Sequence, residues 1–346
     1  MLFLFVEFFV LMLLIFSFSP DWRKVVQVVL FIVFFWSMFW LVLLQLELAH
    51  YSPDGTYGSD ARYYYEKMVE TSKNQKFWPE PGTLTPGYVA FGTLILRFSP
   101  NLSVIWVKFG NIGLFLITLV LTFHLLRSWN VSKQISLYIT LLIGTNGIIL
   151  WMVIRNLKDT MFLMLTILII AYTKYVFTEK RNKFTIFRFL LFFGVFLTIF
   201  QLLKSIRPWG AYWGVMTLTA SIMETLFFGK NTDLKMHRKV TVLFLLIGLV
   251  FVLGFNFTPE KVFFDYDILI DYAENHGGIV QFSFSNLLLA FTRFLIGPGP
   301  IRGIFGWEVF LHTTTVGNIL ITLGAVVWWF YLPIVILAVF SKSRYW

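Results

Sequence analysis

Residues 25–46 read "VVQVVLFIVFFWSMFWLVLLQL", 22 residues without one charge. As an α-helix rising about 1.5 Å per residue, this stretch covers roughly 33 Å. That matches a bilayer hydrocarbon core of roughly 30 Å. The run is continuously apolar and does not alternate with polar residues, which excludes the strand of an outer-membrane barrel.

The rest of the chain repeats the signal. Of its 346 residues, 58% are hydrophobic and 13% charged, whereas soluble domains run at about 45–50% apolar and about 25% charged. The predicted fold class is an all-α polytopic membrane protein, one integral-membrane domain over 1–346. About nine spanning helices fall near 2–19, 25–46, 103–126, 134–154, 160–178, 186–203, 210–228, 239–257 and 316–340. The first carries Glu7 and lacks a basic leader, so it reads as a retained helix and not a cleaved signal. Gly144, Asn146 and Gly147 hint at a break within the 134–154 span.

The net charge is +10. The cations sit in short runs between apolar segments, so they report topology and not a nucleic-acid partner. The runs are Arg23-Lys24, Arg127 with Lys133, Lys180 to Arg188, Lys230 to Lys239, and Lys342 with Arg344. Each falls in every second loop. The positive-inside rule then places the N-terminus outside and the C-terminus in the cytoplasm, in what is expected to be a bacterial plasma membrane. Cysteine is absent, which removes disulfides, thiolate metal sites and cysteine nucleophiles.

The remaining polar chemistry falls on the outer side, in loops 47–102 and 258–315 and in two short turns. Segments 84–98 and 285–297 are apolar but short, and are expected as interfacial or re-entrant helices. In "YSPDGTYGSDARYYY" (51–65), turn residues precede a helix that Ser59 or Asp60 could cap. Asp60 and Tyr64 lie one helical turn apart. Asp60 is therefore a helix cap or a general base, with Tyr64 lining a sugar or headgroup site.

"RNLKD" at 155–159 places Arg155, Lys158 and Asp159 at i, i+3 and i+4, predicting one helical face. The bland reading is an Arg155–Asp159 pair with Lys158 snorkelling. The sharper one is a phosphate or diphosphate site. "KSIRPWG" at 204–210 adds Lys204 and Arg207, and Lys108 could join them. "FFDYDILIDYAENHGG" reads as a solvated acidic loop and not a metal site. Arg293 and Arg302 flank a Gly-Pro-Gly-Pro corner, either structural or presenting both arginines to a lipid-linked phosphate.

"GSDARYYY" at 58–65 with "TPGYVAFGTL" at 85–94 resembles the integral-membrane glycosyltransferases of the GT-C superfamily that use polyprenyl-phosphate sugars. The resemblance covers the first half of the chain. It implies a catalytic base at Asp60, a polyprenyl-phosphate sugar donor and a glycan or lipid acceptor, among membrane lipids. It also implies a part in assembling cell-envelope polysaccharide or glycolipid. Phosphate leaves readily, so neither metal nor cofactor is called for. A lipid-linked oligosaccharide polymerase is a neighbouring resemblance, and a transporter or flippase is the alternative from another class.

Overall fold

The computed structural model describes residues 2–17, 20–50, 52–178, 186–207, 210–224 and 314–340. Among them are eleven α-helices and no strand. They are α1 (Leu2–Phe16), α2 (Pro20–Leu48), α3 (Ser59–Lys73), α4 (Pro86–Arg97), α5 (Val104–Ser128) and α6 (Lys133–Thr145). Then follow α7 (Gly147–Ile154), α8 (Asp159–Thr178), α9 (Ile186–Ile206), α10 (Gly210–Met223) and α11 (Thr315–Phe340). The expected span at 239–257, the short segment 285–297, the loop 258–315 up to residue 313, and Arg293 and Arg302 lie outside the described residues.

Among the described residues, three helices are long and apolar enough to cross a membrane: Trp22–Leu48, Val104–Ser128 and Asp159–Val176. The count rises to four if the bent α6–α7 pair forms one span. The described residues of α1, α9, α10 and α11 add the apolar stretches Val6–Phe16, Leu191–Ile206, Trp213–Met223 and Thr315–Tyr331. This all-helical architecture is consistent with a helical membrane protein. On α2, Val28, Ile32, Phe35, Phe39, Val42 and Leu46 are all exposed at alternating spacings of four and three. That spacing keeps them on one face. The stripe is about 27 Å long at 1.5 Å per residue, close to the hydrocarbon thickness.

The span expected over 134–154 comes as two helices bent by 52°, at the break that Gly144, Asn146 and Gly147 hinted at. Asn146 causes the break. Its backbone is extended, and its side-chain oxygen accepts from the N–H groups of Ile148 and Ile149, capping α7. A side chain that satisfies backbone donors competes with a continuous helix. The backbones of α7 and α11 meet at Gly147 and Gly324, where a Cβ on either would strike the other helix. Of the expected span 210–228, α10 covers Gly210–Met223, and residues 225–228 lie outside the described residues.

The loop expected over 47–102 holds two helices. In α4, nine of twelve residues are buried, which gives segment 84–98 protein on most sides. Two apolar clusters share α5. One joins α3, α4, α8, α9 and α10 through Tyr64, Tyr88, Leu165, Phe196 and Leu203. The other joins α1, α2, α7 and α11 through Ile15, Leu44, Trp151 and Leu320. Lys108, on α5, is fully buried, and its Nζ donates to the Gly55 carbonyl at 2.8 Å. It holds the 52–56 turn and does not join the other cations.

Contacts fix which ends lie together. Ser17 bonds His124 at 3.2 Å, and Lys133 Nζ stands 3.9 Å from the Trp22 ring. Lys174 pairs with Glu224 at 2.7 Å near the same end. At the opposite end Glu47 accepts from the N–H groups of Thr315 and Val316, at 2.6 and 3.0 Å, and so caps α11. There too Gly87 abuts Ser205, and Arg207 meets Asp159. The turns 52–58, 155–159 and 204–207 therefore share one end of the bundle.

Candidate functional site

The site is built where the two apolar clusters meet. α3 starts after Gly58, whose φ of 82° is accessible to glycine without strain. A Cβ there would also collide with the Arg155 guanidinium. No side chain caps α3: the N-cap is Gly58, so neither Ser59 nor Asp60 plays the capping role. Asp60 sits exposed in the first turn, where its carboxylate complements the helix dipole.

Arg155, Lys158 and Asp159 do not share a helical face. α7 ends at Ile154, Asn156 takes φ 67°, and Asp159 opens α8. The chain turns through a left-handed residue where the spacing predicts a continuing helix. Asp159 pairs with Arg207, the residue just after α9, and not with Arg155. Arg155 Nε donates to the Tyr57 carbonyl at 3.2 Å, and its guanidinium lies 5.3 Å from the Tyr57 ring and 5.5 Å from the Trp151 ring. Lys158 donates to the Tyr64 hydroxyl. Lys204 is exposed on the last turn of α9.

Five charged side chains therefore gather around Tyr64. Asp60 and Asp159 both act on Arg155 and Lys158, and Arg207 acts on Lys158. Three cations and two anions leave a formal excess of +1. Burial pulls Arg155 below its ordinary range, and the charges of Tyr57, Asp60 and Asp159 oppose that. Burial, then the neighbouring Arg207, lowers Lys158. Burial first, and Asp60 next, push the Tyr64 phenol well above its usual range, so it stays protonated. Half-buried cations already in place, with a formal excess of positive charge, suit an anion that brings its own oxygens.

A buried network behind the cluster was not legible in the residue types alone. The Tyr88 hydroxyl donates to Asn156 Oδ1 at 2.8 Å and accepts from Asn111 Nδ2 at 3.0 Å. Asn156 Nδ2 donates to the Ala61 carbonyl at 3.3 Å. Asn156 thus ties α4 and the α7–α8 turn to the helix that carries Asp60 and Tyr64. Tyr88 packs edge-on against Tyr64, ring centres 5.6 Å apart. The usable signal was the asparagine beside Arg155, since asparagine tolerates the left-handed region that ends a helix. Among the described residues, no three His, Asp or Glu side chains gather as a metal site requires.

Compared with known proteins, the chain matches no family, no curated protein and no solved structure.

Proposed function

We propose that this chain is a membrane glycosyltransferase that moves a sugar from a polyprenyl-phosphate donor to an acceptor hydroxyl. The observation that carries the reading is that Lys158 and Arg207 meet at Tyr64, with Arg155 sharing their carboxylates Asp60 and Asp159, beside the exposed Asp60 carboxylate. In this reading the nine-span topology puts the cluster on the extracytoplasmic face of a bacterial plasma membrane. The donor's prenyl chain stays in the outer leaflet while its phosphate reaches the cations. The acceptor oxygen attacks the anomeric carbon as its proton passes to Asp60. The bond from that carbon to the phosphate oxygen breaks, and its electron pair leaves with the polyprenyl phosphate. Arg155 and Lys158 stabilise the charge that develops on the leaving oxygen.

The test is donor binding by the purified protein in nanodiscs. Arg155→Ala and Lys158→Ala should each weaken a polyprenyl-phosphate sugar by about 1.5–3 kcal/mol, the worth of a hydrogen bond to a charged group. Donor affinity that neither change alters would move the phosphate elsewhere.

The 52° break between α6 and α7 favours a second reading, a transporter, because broken helices form transport sites near the bilayer midplane. Donor crossing proteoliposomes without any sugar transfer would select it.

A further inference from the structure

The cations of the α3–α4 region divide into two kinds. Arg62 pairs with Glu66 at 3.0 Å, Lys67 with Glu70 at 2.8 Å, and Lys76 with Glu80 at 3.0 Å. Lys73 and Arg97 have no carboxylate within 4 Å among the described residues. Both line one open groove of about 490 Å³ between the C-terminal ends of α3 and α4. Ser72, Gln75, Ser99 and Asn101 supply its polar wall.

Arg97 is held in place before anything binds. Its guanidinium donates to the Gln75 carbonyl at 3.1 Å and stacks 4.1 Å from the Phe77 ring. That Phe77 ring is 54% exposed, and Trp78, next in sequence, is 53% exposed. A basic residue in the last turn of a helix complements the dipole, which accounts for Lys73 or Arg97 singly. It does not account for both facing one groove, nor for aromatic rings left bare at its edge. Two whole positive charges exceed the two helix ends of about −0.5 each, so the groove still favours an anion. Aromatic rings next to cations are the composition of a bilayer interface.

We propose that this groove binds the phosphate of an anionic phospholipid headgroup, with Phe77 and Trp78 set against its glycerol and acyl region. Thirteen residues of α3, about 20 Å of helix, separate Lys73 from Asp60, so this site is distinct from the candidate catalytic cluster. The proposal stands whether or not the chain transfers sugars.

The experiment is native mass spectrometry of the full-length protein titrated with phosphatidylglycerol, with phosphatidylcholine as the zwitterionic reference. Lys73→Gln with Arg97→Gln should weaken the tightest phosphatidylglycerol adduct about 10- to 100-fold, the equivalent of one charged hydrogen bond lost. Lys67→Gln with Lys76→Gln, which removes two neighbouring but paired cations, should leave it unchanged. Arg97→Lys keeps the charge and should restore most of the affinity, which a merely misfolded groove would not do. Inorganic phosphate separates the sources. Competition at millimolar phosphate marks the free anion as a sufficient ligand, and no competition assigns the lipid headgroup. Wild-type phosphatidylglycerol affinity in the double Gln variant, or an equal loss in the Lys67/Lys76 control, would overturn the proposal.

Discussion

A methyl group on Gly58 would enter the space of the Arg155 guanidinium, at a φ that L-residues rarely adopt. Gly58→Ala should therefore cost about 1–3 kcal/mol of backbone strain and displace Arg155. Thermal unfolding reads the first effect and donor affinity the second. If affinity holds while stability falls, Arg155 is not a phosphate ligand. Lys158 gives a pH signature. In the free protein it is lowered below 10.5 by burial and by Arg207. A bound phosphate draws it back up, so binding takes up a proton. Donor affinity is then full below the depressed Lys158 pKa and declines as pH rises through it, at a pH below 10.5 where an ordinary lysine is still charged. Lys158→Arg should abolish that decline in a titration of affinity against pH. Asp60 was singled out by its place in "GSDARYYY", and among the described residues it makes no capping bond, which leaves its carboxylate open to the role proposed for it.

Among the elements, α1 carries an unusual burden. Glu7 is buried against Gly113 of α5, and its Oε1 has no hydrogen-bond partner among the described residues. A buried polar atom left unsatisfied costs about 1–3 kcal/mol. Glu7→Met keeps an unbranched side chain and should raise stability by an amount on that scale, measured by thermal unfolding in detergent. A loss of activity in a stabilised Glu7→Met protein would instead assign Glu7 a function. The helices themselves were readable, because apolar runs such as 25–46 and 103–126 leave no other structure. What was not readable is how elements end. The α6–α7 break depends on Asn146 turning its side chain onto two backbone N–H groups, and the α7–α8 turn depends on Asn156 adopting φ 67°. Helical spacing alone joined Arg155 to Asp159, whereas the partner of Asp159 is Arg207, just past the end of α9 and 48 residues later in sequence. Such pairings are set by tertiary packing, which a pattern of local spacing does not contain.

At the scale of the molecule, the structure places the 52–58, 155–159 and 204–207 turns at one end of the bundle, and Arg127 with Lys133 at the other. In the proposed topology the first end faces the outside. The native chain has no cysteine, so single cysteines report cleanly. A cysteine at exposed Ser59 should react with an impermeant maleimide in intact cells, and one at exposed Asn130 only after lysis. The reverse pattern would put the cluster in the cytoplasm. The most direct measurement of the central claim is sugar transfer in proteoliposomes supplied with a polyprenyl-phosphate sugar, comparing Asp60→Asn with Asp54→Asn. The three bonds to Asp54 all end on Oδ1, an oxygen that asparagine keeps, so Asp54→Asn controls for lost charge in the same loop. Asp60→Asn should fold and bind donor while transferring about 10²–10⁴-fold more slowly, the scale for removing a positioned base. Asp54→Asn should keep most of the activity. An Asp60→Asn protein that transfers sugar at the wild-type rate would contradict the account.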